Sequence, residues 1–86
     1  MEHLHYTILF QPEPEGGFTV TVPALHGCVT YGKDLAEAKK MAIDAIGAYF
    51  ASLKKHGEPI PAEAEPLITS IRVKKPEAYT PLLAYA

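Results

Sequence analysis

The chain has no tryptophan and only one cysteine, Cys28, among its 86 residues. A single thiol excludes an internal disulfide and a cysteine-based zinc cage, so a fold this small must rest on packing and association. An excess of one charge is also missing, since 8 Lys and Arg against 10 Asp and Glu leave a net charge of −2. That balance argues against a surface devoted to nucleic acid or to an anionic membrane. No segment approaches the ~20 apolar residues of a membrane helix, and the opening MEHLHYTILF has no basic region ahead of a long apolar run. A soluble, cytoplasmic protein is expected. Phosphate-binding loops and nucleotide fingerprints are lacking, because Gly16 and Gly17 form an isolated pair. What remains, 48% apolar residues, suits one domain over residues 1–86 with one modest core.

The apolar residues that are present alternate. Leu4, Tyr6, Ile8 and Phe10 share one side of residues 3–11, which predicts a first strand with one face on a core. PEPEGG then joins prolines and acids to two glycines able to take positive φ, and predicts a hairpin. In FTVTV, Phe18, Val20 and Val22 fall on the side of Tyr6, Ile8 and Phe10 if the hairpin is in register, and Thr19 and Thr21 look outward. Pro23 ends this second strand, and residues 28–31 predict a short third one before Gly32 and Lys33. Asp34 is placed to cap a helix, with Glu37 three positions on bonding back to it. Leu35, Ala38, Met41, Ala42, Ala45, Ile46, Tyr49, Phe50 and Leu53 then recur at helical spacing, with Lys54 and Lys55 at the negative end of the dipole and Gly57 as the stop. GEPIPAEAEP is a linker, and residues 67–73 resume alternation as a fourth strand.

The fold class expected is therefore α/β of the α+β kind, β-β-β-α-β. A three-stranded antiparallel sheet carries one long helix, with a further C-terminal strand. Strand order 3-2-1-4 follows if the last strand crosses right-handedly to lie parallel to the first; otherwise it pairs with a neighbouring subunit's sheet.

Cys28 lies two residues after His26, a spacing that raises a thiol-dependent hydrolase as one reading. Catalysis needs a base in reach and an oxyanion hole, whereas Pro23 and Gly27 imply an irregular turn, and an unpaired cysteine is commonly buried. No catalytic residue is assigned. His3, His5, His26 and His56 have no cysteine or carboxylate cluster to join them, so neither metal nor cofactor is expected. Glu37 and Asp44 sit on the helix's polar face, where Lys40 can pair with Asp44. A small ligand-binding or regulatory module is a further alternative.

On the far side of the helix Ile43, Gly47, Ala48 and Ala51 are small or apolar. Either alanines fill a solvated surface for helix propensity, or a second backbone approaches there. With an edge strand carrying Leu67, Thr69, Ile71 and Val73, and a tail holding Leu82, Leu83 and Tyr85, a homo-oligomer is expected, a dimer or tetramer. Its interface would be Ile43, Gly47, Ala51 and residues 67–73.

Residues 6–61, YTILFQPEPEGGFTVTVPALHGCVTYGKDLAEAKKMAIDAIGAYFASLKKHGEPIP, resemble the HicB-type antitoxin domain. The matching features are the aromatic-led first strand, the acidic GG hairpin, the VP step, the L-x-GC-x-T-x-G turn, the E-A pair opening the helix, and the closing G-x-P-I-P. The resemblance implies a shortened ribonuclease-H-like fold without the nuclease's carboxylates, in keeping with a first strand that has no Asp or Glu. It also implies a non-enzymatic role, in which a small RNA-cleaving HicA-type toxin is bound and blocked by steric occlusion. Many such proteins add a C-terminal DNA-binding segment. Here the thirteen residues after Val73 include two prolines and are too few for a helix-turn-helix, so no direct DNA binding by this chain alone is expected.

Overall fold

A computed structural model describes residues 3–63 and 67–77. Four elements follow one another, β1 (Leu9–Pro12), β2 (Phe18–Thr21), β3 (Val29–Gly32) and α1 (Leu35–Lys55). The sheet is antiparallel in the order β1-β2-β3, and α1 packs on β3 and β2. This is the expected α+β arrangement.

The hairpin closes in the expected register, with Phe10 opposite Val20 and Pro12 opposite Phe18. Its turn is fixed by Glu13 N–H donating to Gly17 O and Gly16 N–H donating to Glu13 O. Gly17 has φ +80°, and a β-carbon there would collide with the Tyr31 hydroxyl, so this position requires glycine. The inner face carries Val20 between Phe10 and Thr30, and Phe18 between Pro12 and Gly32. Phe10 and Phe18 meet edge to face at 6.4 Å. The outer face carries Leu9, Thr21 and Val29 in one row and Gln11, Thr19 and Tyr31 in the next.

Buried side chains form two adjoining clusters. Val20, Ala38 and Ala42 make one, flanked by Ile8, Phe10 and Phe18. Val22, Leu25 and Cys28 make the other, covered by Tyr6, Ala45, Ile46, Tyr49 and Phe50 among others. The alternation of strands 1 and 2 and the helical stripe thus meet as the spacing predicts.

Four expectations are corrected. The first strand is not residues 3–11 but β1, because the partner strand is short. Continuing the register would set Thr7 against Pro23, which has no N–H. The third strand lies one residue later than expected, Val29–Gly32. Leu35, the first helical residue, is exposed, so the covered stripe begins at Ala38.

The fourth correction concerns residues 67–73, which form no strand. No ladder partner stands beside them among the described residues, and Leu67, Ile68, Ile71 and Val73 are all exposed. Leu82, Leu83 and Tyr85 lie outside the described residues.

The helix is capped at both ends. Asp34 Oδ1 accepts from Glu37 N–H at 2.8 Å, while Glu37 Oε1 accepts from the N–H of Lys33 rather than of Asp34 itself. At the other end Gly57 takes φ +66°, Gly57 N–H donates to Lys54 O and Glu58 N–H donates to Leu53 O, so the last carbonyls are satisfied.

Candidate functional site

Pro23 stops β2, and the chain reverses to β3 through residues 23–28. Leu25 N–H donates to Val22 O, Cys28 N–H to Leu25 O and Val22 N–H to Cys28 O, and Gly27 takes φ +80°. These bonds turn Leu25 and Cys28 inward beneath the helix. Cys28 is only 5% exposed, and burial pushes its thiol pKa up. A working nucleophile needs the opposite shift, toward thiolate. His26 is exposed, and its carbonyl, not its ring, is engaged, accepting from the Tyr49 hydroxyl at 2.9 Å. The Cys28 and His26 pair is thus a packed turn, with Leu25 its most deeply placed member. Periodicity missed Leu25 because it lies in a turn, although its place between proline and glycine is the signal of an apolar plug.

The remaining titratable residues are dispersed. His3, His5 and Asp44 are exposed, Glu37 serves the helix cap, and the Nδ1 of His56 lies 2.8 Å from Ser52 O at the helix end. Among the described residues no three His, Cys, Asp or Glu side chains gather as a metal site would require.

Concavity appears at the edge of the sheet. Because α1 lies over β3 and β2, the inner side of β1 and of the residues before it is left partly uncovered. An open apolar groove of about 560 Å³ results. Tyr6, Ile8 and Phe10 form one wall, and Ile43, Ile46 and Phe50 of α1 form the other. Tyr6 and Phe50 meet across it with ring centroids 6.0 Å apart.

The linker after α1 is fastened to the same edge. The Tyr6 hydroxyl donates to Pro61 O at 2.6 Å, and Thr7 donates to Glu63 twice, from N–H at 3.2 Å and from Oγ1 at 2.7 Å. Desolvation, and after it the charge of Glu63, raises the pKa of Tyr6. Sequence reading found neither the clamp nor the groove, since both join residues more than forty positions apart.

The expected interface residues all stand on the surface. Ile43 is 72% exposed and lines the groove, while Gly47 and Ala51 are exposed further along the helix, and nothing lies within 4 Å of a β-carbon built on Gly47. Leu67, Thr69, Ile71 and Val73 are exposed as well. The structure brings none of these four to the helix face.

A family described as the HicB_like antitoxin of bacterial toxin-antitoxin systems matches residues 6–81. The chain belongs to this HicB-like antitoxin family. The match runs past residue 61 and takes in residues 67–73, so that exposed segment is part of the family's sequence pattern. A UPF0150 protein of Thermoplasma acidophilum is 44% identical over 66 residues, 77% of this chain and 96% of its own length. Two UPF0150 proteins of Synechocystis are 36% and 32% identical, over 69% and 72% of this chain and 75% and 86% of their own lengths. Among the described residues, no helix of this HicB-like chain is long and apolar enough to cross a membrane.

Proposed function

We propose that this HicB-like chain binds a small RNA-cleaving toxin of the HicA type and neutralises it by steric occlusion, without catalysis of its own. The observation that carries this reading is the antitoxin-family match over residues 6–81. The geometry supports it: the one thiol is buried with a raised pKa, His26 is engaged through its backbone, and exposed apolar side chains stand on the sheet edge, the helix and residues 67–73. Surfaces of that kind serve protein partners better than substrates. The same reading holds the chain to be a cytoplasmic homo-oligomer that does not bind DNA by itself. Ile43, Gly47, Ala51 and residues 67–73 supply its contacts, on a fold of the shortened ribonuclease-H-like kind.

The test is co-expression with a HicA-type toxin, followed by an RNA-cleavage assay of that toxin titrated with the full chain. Cleavage that falls to background near equimolar chain is expected. Cleavage that persists in stoichiometric excess, or RNA cleavage by the HicB-like chain itself, overturns the reading.

A further inference from the structure

The apolar groove beside β1 carries charge of opposite sign at its two ends. Its course is set by the two core clusters. Phe10 packs against the Val20, Ala38 and Ala42 cluster, Ile8 packs against both clusters, and Tyr6 joins Ile46 and Phe50 over the other. Lys39, which follows Ala38 in α1 and lines the groove, therefore belongs to the Phe10 end. The rings of Tyr6 and Phe50, with centroids 6.0 Å apart, close the opposite end. There the negative charge of Glu63 stands, its oxygens accepting from Thr7.

Lys39 has no carboxylate on the helix to answer it. Its neighbours three and four positions away are Leu35, Ala36, Ala42 and Ile43, whereas Lys40 has Glu37 and Asp44 at those spacings. Among the described residues that line the groove there is no Asp or Glu, and the polar side chains are those of His3, Tyr6 and Lys39. The Tyr6 hydroxyl is already given to Pro61 O. Lys39 is thus a cation at the mouth of an apolar channel. From Lys39 to Phe50 the helix rises about 16 Å, the span of an extended dodecanoate chain. The volume of about 560 Å³ falls in the range of sites for small organic ligands.

We propose that this groove is a binding site for a free aliphatic monocarboxylate. The carboxylate pairs with the Lys39 ammonium, and the chain lies along Ile8, Ile43 and Ile46 toward the Tyr6 and Phe50 rings. The reverse orientation would set the anionic head beside Glu63, and a cationic head would be repelled by Lys39. Tyr6 and Ile8 precede the β1 ladder, so the bonds from Tyr6 and Thr7 to Pro61 and Glu63 hold that wall in place before a ligand arrives. The site does not depend on the antitoxin role, and its test involves no toxin.

The test is titration of the full chain with dodecanoate, dodecyltrimethylammonium and acetate, each below any micelle concentration, followed by the methyl resonances of Ile8, Ile43 and Ile46. Dodecanoate should shift them saturably at one ligand per chain, and the other two should bind far more weakly. Lys39→Met should weaken dodecanoate binding about threefold to fivefold, the range of an exposed ion pair, and Lys39→Glu should weaken it further. Added salt should bring the parent toward Lys39→Met. Ile43→Ser, at a position 72% exposed, should also lower affinity while the far-ultraviolet helix signal stays unchanged. Equal affinity for the ammonium amphiphile, indifference to both Lys39 substitutions, or shifts that never saturate overturn the proposal. So do groove methyls that report contacts from a second copy or from another part of the chain and leave dodecanoate no access.

Discussion

The backbone of Gly32 lies directly against that of Ala38. A β-carbon on Gly32 would stand 2.8 Å from the Ala38 β-carbon and closer still to the nitrogen and Cα of the same residue. Gly32 ends the inner row that runs through Phe18 and Pro12, so the missing side chain is what lets the first turns of α1 settle onto the sheet. Ala38 is wholly buried there.

Gly32→Ala should therefore cost about 3 kcal/mol, the upper range for overpacking, because backbone atoms rather than a flexible side-chain end must move. Against the roughly 5–10 kcal/mol that holds a domain of this size, that is a large share, read as a fall in the urea midpoint. A loss below 1 kcal/mol would mean the helix can lift from β3 without penalty.

Cys28→Ser should destabilise by about 1–3 kcal/mol, because a hydroxyl would be buried among Val22 and Leu25 in place of a weakly polar thiol. The raised pKa of the cysteine adds a pH signature. Its contribution is complete below the unfolded value near 9 and is lost as pH rises through the higher folded value, since the unfolded chain ionises first. Stability of the parent should thus decline from about pH 9 upward, and Cys28→Ala should decline less steeply over the same range. Toxin binding should be untouched in both variants; its loss without a change in thermal stability would return Cys28 to a chemical role.

How much of this was legible in the sequence depends on the range of the interaction. The Tyr6, Ile8, Phe10 and Phe18, Val20, Val22 alternations and the Ala38 to Phe50 stripe were readable, because strand and helix periods are local and each has one face to bury. The ends of elements were not. β1 is short because Pro23, opposite Thr7 in the continued register, has no N–H to offer, a condition set on another strand. Gly32 reads as a turn glycine, yet its function is a close approach that only the packed helix reveals. Residues 67–73 alternate as a strand should, but alternation alone supplies no partner, and no ladder partner stands beside them among the described residues. The family resemblance read from residues 6–61 reached the fold and the antitoxin class, and not the groove.

Purified chain should leave RNA intact with or without magnesium or manganese. Glu37 and Asp44 are the carboxylates on which helix-borne metal chemistry would have to rely, and Glu37 is occupied at the Lys33 N–H while Asp44 stands alone in solvent. Glu37→Ala should lower stability by about 0.5–1 kcal/mol through loss of the cap, and Asp44→Ala should leave it within about 0.5 kcal/mol of the parent. Metal-dependent cleavage abolished by either substitution would contradict both assignments.

Gly47 is the one helical position where chain entropy alone sets the outcome within a copy, since nothing approaches an added β-carbon. Gly47→Ala should raise the stability of the folded chain by about 0.5–1 kcal/mol. Gly47→Leu should keep the fold and loosen self-association if a second backbone comes close to that face. An oligomer that tolerates leucine would remove Gly47 and Ala51 from the interface and leave residues 67–73 and Ile43 as its contacts.

Tyr6→Phe isolates the clamp between the N-terminal residues and the linker. The phenol donates to Pro61 O at 2.6 Å, and removing that donor should cost about 0.5–1.5 kcal/mol near pH 7, while the ring contact with Phe50 is kept. Desolvation first, and then the negative charge of Glu63, raises the Tyr6 pKa above its ordinary value of 10.0. A raised folded pKa means the hydroxyl's contribution is complete below the unfolded value and disappears as pH rises through the folded one, because the phenolate can no longer donate and is repelled by Glu63. The stability gap between parent and Tyr6→Phe should therefore be widest at neutral pH and close at alkaline pH, measured as paired urea midpoints at pH 7 and at pH values above 10. Glu63→Gln should bring the Tyr6 pKa down and move that closing to lower pH. A gap that stays constant across the series would mean the hydroxyl bonds to water rather than to Pro61, and the linker's course along Tyr6 and Thr7 would then rest on Glu63 alone.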